Sequence, residues 1–316
     1  MKNILLGMAV GDALGVPYEF KSKNMMKLNP CTDMVGHGTH NQPAGTWSDD
    51  TSMALCIVDS LINGLNYTHI ADKFHDWLYG SLWTPHGKVF DNGLSTRRAI
   101  DRWVKGDVLA IECGGTDIDS NGNCSVMRTL ALVPFIEDMD LDTRYGVVSN
   151  VSAITHGHWI SKFSCLLVCE YAIALRNGFN KSQAFDISVR YLEEARDTEI
   201  AFGDLSHEEY NDVFGELIGG MLDGSVSDDD MLGSGYARDT ALTSIWCTIR
   251  TTTFREAVLM AVNYGDDTDT TGCVTGGLAG IMYGVEGIPL VWLNGIARKD
   301  DIIDLVEQYE STYETA

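Results

Sequence analysis

Basic residues are scarce in this chain. Its 316 residues hold 22 Lys and Arg against 45 Asp and Glu, a formal net charge of −23. No basic stripe is available to neutralise phosphates, which excludes nucleic acid as a direct partner. The same imbalance disfavours anionic membrane surfaces. Proline is sparse, with six residues, and no Pro/Ser-rich linker divides the sequence. A single domain over 1–316 is therefore expected. None of the eight cysteines forms a C-x-x-C pair, so they read as reduced thiols of a cytoplasmic protein, not as a disulfide framework or zinc site. Long apolar runs are also missing. Ile4 to Val10 stops at Asp12 and reads as the first turns of a buried helix. Thr270 to Val285 spans 16 uncharged residues before Glu286, too few for a membrane span. Strand-like alternation is rare.

Helical periodicity is abundant. Ala54, Ile57, Val58, Leu61, Ile62 and Leu65 mark one apolar face; Ala241, Leu242, Ile245, Trp246 and Ile249 mark another. Cys165 to Leu175 is apolar nearly all round, as befits a central helix. Thr253 to Glu256 reads as a capping box. Ile302, Ile303, Val306, Tyr309 and Tyr313 predict a closing amphipathic helix. Gly272, Gly276, Gly280 and Gly284 recur every fourth residue, which lets a neighbouring helix or a ligand come close to the backbone. The acid-rich, glycine-punctuated stretch 196–238 reads as helical surface or a specificity insert.

Two acid blocks stand out, Ser48-Asp49-Asp50-Thr51 and Asp266-Asp267-Thr268-Asp269-Thr270-Thr271. Each follows a glycine-bearing loop and enters an apolar helical segment. One reading is capping, because Ser, Asp and Thr favour helix N-termini and acids suit the dipole there. Capping needs one or two oxygens, however, and both blocks exceed that. Brought face to face, they would supply the hard oxygen ligands that magnesium or manganese prefers. Asp117 to Gly122 imitates the start of a calcium loop, but Arg128 stands where that loop requires glutamate.

Four segments in order resemble the ADP-ribosylglycohydrolase family. They are Gly7 to Glu19, Gly45 to Met53, Asn121 to Arg128 and Asn263 to Gly272. The resemblance implies an all-α fold, a compact orthogonal multi-helix domain with a two-metal cleft, and hydrolysis of ADP-ribose from modified protein side chains. Ser48, Asp49, Asp50, Asp267, Asp269 and Thr270 fall on the family's metal-ligand positions, for two Mg2+ or possible Mn2+ ions. Glu19, Asp91 and Asp50 are the expected catalytic carboxylates. Gly122, Asn123, Ser125 and Met127 fall on the loop whose amides hold the diphosphate, and His156 on a further motif near the ligand.

Phe90 to Thr96 resembles a segment of arginine-type members, with Asp91 beside the scissile ribose; a turn capping the next helix is the alternative. The expected linkage is to arginine, with O-linked ADP-ribose or a silent binding member as alternatives. The expected partner is an ADP-ribosylated protein, the target of a transferase. Two departures from the family pattern occur: Asp266 and Cys124 each replace a glycine. The first is expected to add charge near the metals, the second to stiffen the diphosphate loop.

Overall fold

The computed structural model describes residues 1–106, 108–197 and 205–313. Its long helices are α1 (Lys2–Gly15), α2 (Asp49–Leu61), α3 (Tyr67–Gly80), α4 (Leu94–Lys105), α5 (Leu141–Ala153), α6 (Trp159–Arg176), α7 (Lys181–Asp197), α8 (Ala237–Arg250), α9 (Phe254–Val262), α10 (Thr268–Tyr283) and α11 (Lys299–Tyr313). Among the described residues β pairing is confined to isolated bridges, including Gly122 with Tyr236. One apolar cluster runs from Ile4 in α1 to Tyr309 in α11. The all-α expectation holds. No helix among the described residues is long and apolar enough to cross a membrane.

The pair α1 and α10 organises the interior. Every residue from Ile4 to Gly15 and from Thr268 to Gly280 is buried. Side chains would hold two such helices apart, and glycine removes them at the crossing. A Cβ on Gly276 would lie 2.2 Å from the Gly7 carbonyl oxygen, and one on Gly272 2.5 Å from that of Gly11. The four-residue glycine spacing is thus a helix–helix seam. Its last member, Gly284, instead ends α10 with φ at +67°.

Around this pair, α5, α7 and α8 pack on α6, whose Cys165 and Cys169 are core thiols. All eight cysteines are free. A bidentate ion pair joins α5 to α6, Arg144 donating to Glu170 at 2.7 and 2.9 Å. The closing helix α11 buries Ile302, Leu305, Val306 and Tyr309. The expected capping box at α9 is only half formed. Thr253 accepts from the Glu256 N–H at 3.2 Å, but the Glu256 carboxylate accepts from Thr252 N, one residue early. Of the 196–238 stretch, 198–204 lie outside the described residues. The remainder includes a π-helical turn, Asn211–Gly215, whose Phe214 packs on Phe163 with ring centroids 4.7 Å apart. The stretch is therefore partly core.

The seam generates a contrast. Gly276→Ala should cost about 1–3 kcal/mol through overpacking against backbone. Gly219→Ala, where a Cβ meets nothing within 4 Å, should gain about 0.5–1 kcal/mol of helix stability. Urea unfolding of the two variants checks both signs.

Candidate metal centre and cleft

Both acid blocks start helices, and capping takes up only part of their oxygens. Ser48 Oγ accepts the Asp50 N–H at 3.4 Å and donates to Asp50 Oδ2 at 2.8 Å. The Thr270 N–H is shared by Asp267 Oδ1 at 3.3 Å and Asp269 Oδ1 at 3.0 Å. Asp49, Asp50 and Asp269 are all buried. Asp50 Oδ1 and Asp269 Oδ2 have no hydrogen-bond partner among the described residues. Buried oxygens in that state are costly unless a ligand takes them up.

Asp12, inside the apolar α1, has a different part. Its carboxylate accepts from Ser48 N at 2.9 Å, Thr51 N at 3.1 Å and Thr51 Oγ1 at 2.6 Å. It therefore caps α2 across the interface and fixes the first acid block against α1. One oxygen each from Asp12, Asp50 and Asp269 lie within 4.8 Å of one another, and the same holds for one atom each of Glu19, His40, Asp91 and Asp269. Asp269 belongs to both groups, so two acidic sites adjoin.

The electrostatics follow from burial. Desolvation, then mutual repulsion, pushes Asp49, Asp50 and Asp269 well above the ordinary carboxylate range. Burial raises Asp12 to about 7, against the hydrogen bonds it accepts. Glu19 also rises to about 7, by burial, with His40 opposing and Asp91 and Asp267 adding to the rise. A buried, oxygen-rich, like-charged set with two unpartnered oxygens fits hard divalent cations. The cluster could hold metal ions.

Above the acids opens a cleft of about 250 Å³. Glu19, Asp49, Asp91, Asp267 and Thr270 line it together with Gly122, Asn123, Cys124, Met127 and His156. Glu19 follows the end of α1, its carbonyl accepting from Thr39 Oγ1 at 2.7 Å, and its carboxylate meets His40 Nε2. Asp91 does not cap α4, which begins at Gly93 without a side-chain cap. One of its carboxylate oxygens instead lies within 4.8 Å of one of Glu19.

Asn123 is a strut as well as a lining residue. Its Nδ2 donates to Asp267 Oδ2 at 2.8 Å and Thr240 Oγ1 at 2.9 Å, and its backbone N–H donates to Gly235 O at 3.0 Å. Ser125 is buried, its hydroxyl has no hydrogen-bond partner among the described residues, and it is not one of the cleft-lining residues. His156 is fully buried, and desolvation, then the Arg128 charge, lowers its pKa to about 3. Its Nε2 borders Gly122 at the cleft.

The two departures act differently from expectation. Asp266 is exposed, with φ at +58°. It adopts the left-handed backbone that glycine takes easily and aspartate tolerates, and its charge points to solvent. Cys124 sits in a 3-10 turn with ordinary φ, so no glycine freedom is lost there. In the calcium-loop imitation Asp117 and Asp119 are exposed, while Arg128 is buried.

Sequence reasoning gave no role to Asp12, His40 or the loop around Gly235. A lone aspartate within an apolar helix was the available signal for Asp12. His40 reaches the second acidic group, and Gly235 the cleft, through tertiary contacts that no local pattern carries.

A family model described as ADP-ribosylglycohydrolase matches residues 1–316. The chain is 31% identical over 309 residues to an ADP-ribosylarginine hydrolase Tri1 of Serratia proteamaculans (strain 568), covering 97% of this chain and 78% of that one. It is 29% identical to an ADP-ribosyl-[dinitrogen reductase] glycohydrolase of Rhodospirillum rubrum, covering 93% and 89%. A solved structure titled "ADP-ribosylglycohydrolase-related protein complex" superimposes with a TM-score of 0.77 at 28% identity, covering 98% of this chain and 96% of that one. Matched from end to end, with its acid blocks gathered at one cleft, the chain belongs to the ADP-ribosylglycohydrolase family.

Proposed function

We propose that the protein is a metal-dependent hydrolase, acting as a single domain, that removes ADP-ribose from arginine side chains of modified proteins. The observation that carries this reading is that Glu19 and Asp91 line one cleft with Asp49 and Asp267 and lie within 4.8 Å of each other and of Asp269. The names of the 31% identical relatives support arginine as the linkage, as does the Phe90 to Thr96 segment. Ser48, Asp49, Asp50, Asp267, Asp269 and Thr270 would hold two magnesium ions, with manganese as the substitute. Bound there, the ions supply Lewis acidity to the ribose hydroxyls and to a water.

The chain's own groups do the rest. Breaking the bond between the anomeric carbon and the guanidinium nitrogen needs a proton delivered to that nitrogen. It also needs a proton removed from the water whose oxygen bonds the carbon. Glu19 and Asp91 are the groups placed for those transfers, with His40 orienting Glu19. Asn123 orients Asp267, and the turn from Gly122 to Met127 with His156 faces the diphosphate. The substrate is an ADP-ribosylated protein, the product of a transferase, and eight free thiols suit a cytoplasmic setting.

Release of ADP-ribose from an arginine-modified protein should occur with magnesium and stop after chelation. Release from a serine-linked peptide alone would move the linkage to oxygen, and release from neither would leave a silent binding protein. Asp91→Asn should lower kcat about 10²–10⁴-fold, and Asp49→Ala or Asp267→Ala should abolish turnover with the helical circular dichroism retained.

A second expectation concerns pH. In chelator, the folded state keeps protons on Asp12 and Glu19 up to about 7, whereas their ordinary values are 3.8 and 4.5. The unfolded state therefore binds fewer protons across that interval, and stability falls as pH rises from about 4 to about 7. Calorimetry should show Tm dropping over this window and recovering when magnesium is added at pH 7.

A further inference from the structure

Arg128 is completely buried, yet among the described residues its hydrogen-bond acceptors are two carbonyls and a hydroxyl, with no carboxylate. Its guanidinium lies 4.8 Å over the Phe74 ring. It donates to the Cys124 carbonyl, to Val151 O at 3.2 Å and to Thr155 Oγ1 at 2.8 Å. A guanidinium can only donate, so Thr155 Oγ1 accepts there. The single hydroxyl proton of Thr155 is left for its other polar neighbour, His156 Nδ1, at 2.8 Å. Nδ1 is then the acceptor of the ring. Burial beside Arg128 keeps a second proton off the imidazole. The ring is neutral, and its one proton sits on Nε2. That atom is buried, has no hydrogen-bond partner among the described residues, and borders the cleft beside Gly122. The opposite tautomer would strand the Thr155 hydroxyl proton among buried atoms.

We propose that Arg128 and Thr155 are positioning residues that lock His156 as a neutral Nε2–H donor aimed into the cleft at an anionic oxygen of the ligand. On the functional reading above, which the inference rests on for its ligand, that oxygen belongs to the diphosphate. Arg128 serves the same wall twice, because its bond to the Cys124 carbonyl holds the turn that begins at Gly122. The cation never reaches the ligand itself: it is not among the cleft-lining residues.

Long-range ¹H–¹⁵N correlation spectra of the histidine rings test the lock without any ligand. The expected result is a protonated Nε2 and an unprotonated Nδ1 at His156 in the wild-type protein. Thr155→Val should let the proton redistribute toward Nδ1 and weaken ADP-ribose binding roughly tenfold, the scale of one hydrogen bond to a charged group. Thr155→Ser should restore both. A wild-type ring protonated on Nδ1 would overturn the proposal, even if Thr155→Val did not fold. So would a folded Thr155→Val protein with Nε2 still protonated or with unchanged affinity. If ADP-ribose binds neither protein, the functional reading fails, while the ring spectra still decide the lock.

Discussion

The backbone contact between α1 and α10 sets the distance on which the acidic centre depends. Asp12 and Glu19 belong to the first helix and its exit, Asp267 and Asp269 to the start of the second. The two segments are joined where Thr268 Oγ1 donates to Gly15 O at 2.8 Å, and a Cβ on Gly15 would lie 2.3 Å from the Asp269 Cα. Carboxylates separated by most of the sequence are thereby held at ligand-sharing range. The arrangement has a cost: each glycine in a helix interior sacrifices about 0.5–1 kcal/mol relative to alanine. Complete burial of both helices offsets it, since apolar burial contributes roughly 25 cal/mol per Å².

That same contact forces like charges together out of water, which is unfavourable on its own. The protein relieves part of the burden with donors. Asp12 takes three hydrogen-bond donors from the start of α2, and Asp267 takes the Asn123 amide and the Thr270 N–H. Asp50 Oδ1 and Asp269 Oδ2 receive none from the described residues. The distribution is uneven oxygen by oxygen. Oxygens that accept from the protein fix the geometry, and those left open are where a cation would relieve the most cost.

Legibility followed range. The apolar faces of α2, α8 and α11 and the glycine seam were readable because their periods lie within one helix. The acid blocks were readable because their excess over capping needs is a local count. The half-formed capping box was not, since Glu256 reaches Thr252 and not Thr253 through a detail of backbone direction. Asp266 shows a subtler failure: substitution of a glycine beside an acid cluster suggested added charge, but side-chain direction at positive φ sends it to solvent. His40 comes to the acidic centre and Gly235 to the cleft through long-range contacts with Glu19 and Asn123.

The cleft that results brings two chemistries into one lining. Carboxylates of Glu19, Asp49, Asp91 and Asp267 stand there beside the turn at Gly122 and the His156 ring. The two are tied together, because Asn123 of that turn donates to Asp267. An anionic phosphate placed among the acids would meet repulsion that burial amplifies, whereas the turn and the His156 ring carry no such charge. The wall chemistry therefore favours a ligand that puts its hydroxyls at the acids and its phosphates at the turn. In a chain with a charge of −23, the buried Arg128 lies behind this lining and acts through Cys124, Thr155 and His156. It shapes the cleft while staying out of contact with the acids that would neutralise it.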